Sequence, residues 1–84
     1  MKDKQTIVFI DDDKWVTDLY GDKLKEEGFE VFTASNGKQG VELVLKYKPD
    51  LILSDVVMNN GDGFYVLEKT REHEEMKNIP IVNL

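Results

Sequence analysis

Asp11, Asp12 and Asp13 follow directly on the apolar run Ile7-Val8-Phe9-Ile10, and Asp55 follows Leu51-Ile52-Leu53-Ser54. If these two runs are parallel neighbouring strands, about 4.8 Å apart, their acidic ends fall on one rim, within several ångströms of each other. Like charges at that spacing raise one another's pKa unless something neutralises them. A hard divalent cation does this well, and oxygen ligands without His or Cys select Mg²⁺ or Ca²⁺ over zinc. Mg²⁺ held by one or two carboxylates, with waters retained, typically serves phosphate chemistry. The plainer alternative is that acids after a strand cap the next helix and face its dipole. Asp13 fits that plainer role, whereas Asp11, Asp12 and Asp55 on matched strand ends point more specifically to a cation.

The elements that must position these residues alternate along the chain. Thr6 to Ile10 is a nearly continuous apolar run, as expected of a strand buried on both faces. Val16, Leu19, Tyr20 and Leu24 recur with helical spacing, Asp13 offers the N-cap, and Gly28 ends the helix. Phe29 to Thr33 alternates apolar and polar, as a strand with one exposed face does. Ser35-Asn36-Gly37 is turn chemistry in which Asn36 and Gly37 tolerate positive φ. Gly40, Val41, Val44 and Tyr47 predict a second helix closed by Pro49, with Gly40 allowing a close approach to the sheet. Leu51 to Leu53 reads as a second buried strand and Asn59 to Gly63 as a loop. Phe64 to Arg71 predicts a third helix with Phe64 and Leu67, then Thr70 or Arg71, on one stripe. Ile79 to Leu84 predicts a last strand. This order argues for an α/β fold, a doubly wound parallel sheet with right-handed crossovers and helices on both faces. Such sheets place ligands at the carboxyl ends of their strands.

Length and composition narrow the classes. Eighty-four residues allow one small domain, residues 1–84. With 40% hydrophobic and 33% charged residues the chain is neither disordered nor membrane-embedded by composition. It holds no apolar run of about 18 residues, and its polar first five residues lead to the expectation of no signal peptide. The absence of cysteine excludes a disulfide framework, a thiolate metal site and a thiol nucleophile, and fits a cytoplasmic setting. A net charge of −6 argues against a nucleic-acid surface. At this size only about 60–65% of the unfolded surface is buried, so stability is marginal unless a partner or more chain contributes.

The stretch Ile7–Asp13, together with Asp55-Val56-Val57-Met58 and Asp62-Gly63-Phe64, resembles the receiver domain of two-component response regulators. Glu27-Gly28-Phe29-Glu30-Val31 and Ala34-Ser35-Asn36-Gly37 also sit where that family has similar turns. The resemblance implies a flavodoxin-like sheet with strand order 2-1-3-4, cut short after the fourth strand. It implies Asp55 as phosphoacceptor, receiving a phosphoryl group from a histidine kinase or phosphotransfer protein as an aspartyl phosphate. It implies Mg²⁺ held by Asp12 directly, by Asp11 through water, by Asp55, and by the backbone carbonyl of Val57. It implies a signalling module of the cytoplasm rather than an enzyme, with no membrane contact and no nucleic acid bound by this domain.

Three departures stand beside the likeness. Asn59 replaces the proline usual after the loop methionine, and Gly61 stands where an apolar residue is common, so a looser loop is expected. The Ser or Thr that follows the family's fourth strand and the Lys that follows its fifth have no counterpart within the 84 residues. Phosphotransfer is therefore expected to be impaired. The last strand is expected to form an open edge, one sheet face to lack a helix, and the chain to self-associate or exchange segments. Two other classes remain open: a Mg²⁺-dependent phosphohydrolase, disfavoured by Val57 where a second acid is wanted, and an assembly fragment with a vestigial acidic site. Trp15 reads as a partly exposed aromatic at a helix start, His73 as a solvated surface residue, the run Glu68 to Lys77 as a solvated face, and Tyr47 and Met58 as packing residues.

Overall fold

The computed structural model describes residues 4–55 and 62–83. The order is β1 (Thr6–Ile10), α1 (Lys14–Glu26), β2 (Glu30–Ala34), α2 (Gly37–Tyr47), β3 (Leu51–Ser54), α3 (Asp62–Glu72) and β4 (Ile81–Asn83). The four strands are parallel in the order β2-β1-β3-β4, so the fold is the doubly wound, flavodoxin-like arrangement anticipated from the sequence.

Central placement explains the composition of β1. With neighbours on both edges and helices on both faces, all five of its residues are buried. Val8 and Ile10 pack with Ala34, Val41, Val44, Ile52, Val66 and Met76 under α2 and α3. Ile7, Phe9 and Val31 face α1, where Val16, Leu24, Leu51 and Leu53 join them half-buried. β3 is thus buried on one face only. Leu51 and Leu53 are half-exposed because α1, which covers β1 and β2, does not reach across them.

The helices turn differently from the stripes read in the sequence. α1 buries Thr17 and Gly21, while Leu19 and Tyr20 point to solvent. Gly21 lies 3.5 Å, measured from a virtual Cβ, from the Thr33 methyl, so small residues face the sheet there. α3 buries Val66 and Thr70 and exposes Phe64 and Leu67. In both helices apolar side chains outnumber the positions the sheet covers, and bulk alone did not reveal which were inside.

Boundaries follow local chemistry. Gly28 takes φ 100° after α1, as its type suggests. Asn36 is extended (φ −154°) and caps α2, its Oδ1 accepting from the Gln39 amide at 2.8 Å; neither it nor Gly37 uses the positive φ that its type tolerates. The left-handed turn falls instead on Lys48 (φ 46°), whose amide donates to the Val44 carbonyl ahead of Pro49. Tyr47 stacks on Phe32 with ring centroids 3.8 Å apart. β2 runs one residue later than expected. β4 begins two residues later than the predicted strand, because the Ile79 amide closes a turn onto Met76 and Pro80 has no amide to give; Leu84 lies outside the described residues. His73 is half-buried rather than solvated, and Met76, inside the charge run, is fully buried.

Candidate acidic metal centre

The strand ladder carries the acids to one place. The Ile10 carbonyl, last of β1, accepts from the Asp55 amide at 3.2 Å, and the next amide, that of Asp11, donates to the Ala34 carbonyl at 3.1 Å. These two bonds extend the β1–β3 and β1–β2 pairings by one step. Residues 44 positions apart in sequence therefore meet at the carboxyl rim.

Carboxylate oxygens of Asp11, Asp12 and Asp55 all lie within 4.8 Å of one another. Asp11 is buried, Asp12 exposed and Asp55 half-buried, so the group opens to solvent on one side. Burial pushes the Asp11 carboxyl above the usual carboxylate range; the amide of Asp13 pulls it back, and the charges of Asp55 and Asp12 push it up again. The donor set is hard and anionic, which fits a hard divalent cation. Among the described residues, the cation beside this loop, Lys14, pairs with Asp18 at 3.1 Å on the surface of α1.

The three carboxylates singled out in the sequence are thus brought together. The fourth proposed ligand, the Val57 carbonyl, and the departures at Asn59 and Gly61 lie outside the described residues, as does Met58. Asp13 caps α1 as expected, its Oδ1 accepting from the Trp15 amide at 3.0 Å. Trp15 is 74% exposed beside the site. Two features escaped the sequence reading. The Asp13 amide donates to Asp11 Oδ1 at 2.9 Å; the Asp-x-Asp spacing, which suits an Asx turn, was the available signal. Ser54, next to Asp55, is 1% exposed and its hydroxyl finds no partner among the described residues; no sequence pattern announces that.

A doubly wound parallel sheet with a carboxylate trio at its carboxyl rim defines a class of domain, and comparison with known proteins agrees. Residues 7–84 match the response regulator receiver domain, and the chain belongs to that family. Among solved structures it is similar to the N-terminal domain of a response regulator receiver protein from Methanoculleus marisnigri JR1, with 30% identity and a TM-score of 0.84. That match covers 92% of this chain and 63% of the other. The chemotaxis response regulator CheY4 of Vibrio cholerae is 28% identical with a TM-score of 0.85, covering 93% and 65%. The receiver domain of a signal transduction histidine kinase from Syntrophus aciditrophicus is 26% identical with a TM-score of 0.84, covering 95% and 61%. The chain therefore spans less than two thirds of the length of these structures. No helix among the described residues is long and apolar enough to cross a membrane.

Proposed function

We propose that this chain is a phosphoacceptor module of two-component signalling, in which Asp55 receives a phosphoryl group from a histidine kinase or phosphotransfer protein with Mg²⁺ at the acidic rim. The observation that carries the reading is the convergence of Asp11, Asp12 and Asp55 within 4.8 Å at the carboxyl ends of β1 and β3. A Mg²⁺ held there by these carboxylates would supply charge neutralisation for a transferring phosphoryl group. The residues do the rest. Half-buried Asp55, fixed through its amide to Ile10, directs a carboxylate oxygen at the phosphorus. The new O–P bond forms as the donor's N–P bond breaks, the electron pair returns to the imidazole, and the imidazole takes a proton from solvent. Asp11 and Asp12 stay in place as ligands. The module acts as a switchable acceptor, not as an enzyme with turnover, and its setting is the cytoplasm where such donors act.

Studied by itself, the 84-residue chain is expected to accept phosphoryl groups more slowly than a longer polypeptide that also brings a hydroxyl and an ammonium to the rim. It is also expected to self-associate. Among the described residues β4 is paired on its β3 side alone, and Val82 is 46% exposed in the same cross-strand row as Phe9 and Leu53.

Acetyl phosphate or beryllofluoride with Mg²⁺ tests the acceptor. The expected result is one base-labile adduct per chain, seen by intact mass or ¹⁹F resonance, and lost in Asp55→Asn. An adduct that persists in Asp55→Asn, or none in the parent chain at saturating donor, would sink the assignment. Steady release of phosphate from simple esters would point instead to a hydrolase.

A further inference from the structure

We propose that Asp13 is a positioning residue for the metal centre: by closing the first turn of α1, it holds its own amide where it fixes the Asp11 carboxylate toward Asp12 and Asp55. The inference rests on the cation-binding reading above and assigns a part to a residue outside the carboxylate trio.

Asp13 joins two structures that otherwise need not be in register. On the helix side its Oδ1 accepts from the Trp15 amide at 3.0 Å, and its carbonyl accepts from the amides of Val16 at 3.0 Å and Thr17 at 3.1 Å. Three amides of the first turn are thereby satisfied by one residue. On the strand side its amide donates to Asp11 Oδ1 at 2.9 Å. Asp11 is also tied to β2, through its own amide and the Ala34 carbonyl at 3.1 Å. The buried carboxylate is therefore oriented from α1 while its backbone is oriented from β2. Asp12, the exposed member of the trio, sits between these two anchored residues.

The arrangement matters because the trio repels itself. An Asp11 side chain without the amide would relax by rotating away from Asp55 and Asp12, and a cation would have to gather it again on binding. The side chain of Asp13 is turned to the helix amide, so its contribution is capping, and Asn, an equally good N-cap, should do the same work.

The test is Mg²⁺ titration of the 84-residue chain by calorimetry and by Trp15 fluorescence, with folding checked by circular dichroism. Asp13→Ala is expected to weaken Mg²⁺ binding about tenfold, the lower end for groups that orient metal ligands. Asp13→Asn should stay within about twofold of the parent, since the cap acceptor is kept. Asn36→Ala, which removes the side-chain cap of α2, should lower the melting temperature and leave Mg²⁺ affinity unchanged. If Asp13→Ala does not fold, Asp13→Gly replaces it with the same expected ordering, because Gly is a tolerated N-cap without an acceptor. Parent-like affinity in Asp13→Ala overturns the proposal, and so does an equal loss in Asp13→Asn, which would assign the effect to charge. A parent chain that binds no Mg²⁺ overturns the cation reading itself, a distinct result.

Discussion

At Asp11, burial acts against ionisation, the Asp13 amide acts for it, and Asp55 and Asp12 act against it. The net shift is upward from the ordinary value of 3.8. A carboxyl whose folded pKa exceeds its unfolded one keeps its proton longer in the native state, so stability falls as pH rises through that interval. In chelator-treated protein, Asp11→Asn should therefore melt higher than the parent at neutral pH, with the difference shrinking toward zero below the ordinary value. Melting curves across acid to neutral pH check the direction; a difference that grew on acidification would contradict it. Ser54 makes a second residue-scale case. Its buried hydroxyl has no partner among the described residues, and leaving such a group unmatched costs about 1–3 kcal/mol. Ser54→Ala should raise stability by about 1 kcal/mol in urea titration, and a loss of that size would show that the hydroxyl is satisfied after all.

Among the elements, α2 is seated most tightly. A Cβ at Gly40 would lie 2.3 Å from Ile10 Cδ1 and 2.7 Å from Ile10 Cγ1. Ile10 is fully buried in the centre of the sheet and has little room to give. Gly40→Ala should destabilise by about 1–3 kcal/mol even though alanine favours helix by about 1 kcal/mol, and adding Ile10→Val should recover part of the loss. This contact also shows what could be read in advance. Gly40 inside an apolar helical pattern, and strand runs that end in acid, have few physical explanations, so close packing and the carboxylate trio were legible in the chain. The faces of α1 and α3 were not. Leu19, Tyr20, Phe64 and Leu67 carry the right spacing but lie beyond the reach of the four strands; of the α3 stripe Thr70 alone is buried, and Thr17 and Met76, outside the stripes, took the interior. A periodic stripe says that a face is apolar without saying how wide a surface there is to cover it. Nor does an aspartate's identity say that its backbone amide, rather than its side chain, will serve the site.

At the scale of the molecule, the row that starts at buried Phe9 becomes more exposed through half-buried Leu53 to Val82, beside Tyr20 and Leu24 of α1, and among the described residues β4 has no strand on its outer side. A cleft of about 510 Å³ lies along it, with Asp11 among its lining residues. Light scattering of the isolated chain should give a mass above that of the monomer, and Val82→Lys, a charge on an edge strand, should restore the monomer. A folded parent that stays monomeric at high concentration would remove the self-association argument.

The strand order has a kinetic consequence. Asp11 and Asp12 follow the central strand, whereas Asp55 arrives only when β3 docks against it. Three negative groups are therefore forced together by the β1–β3 pairing and not by the pairing of β1 with β2. Refolding should accordingly quicken with ionic strength, because mobile counterions soften the approach.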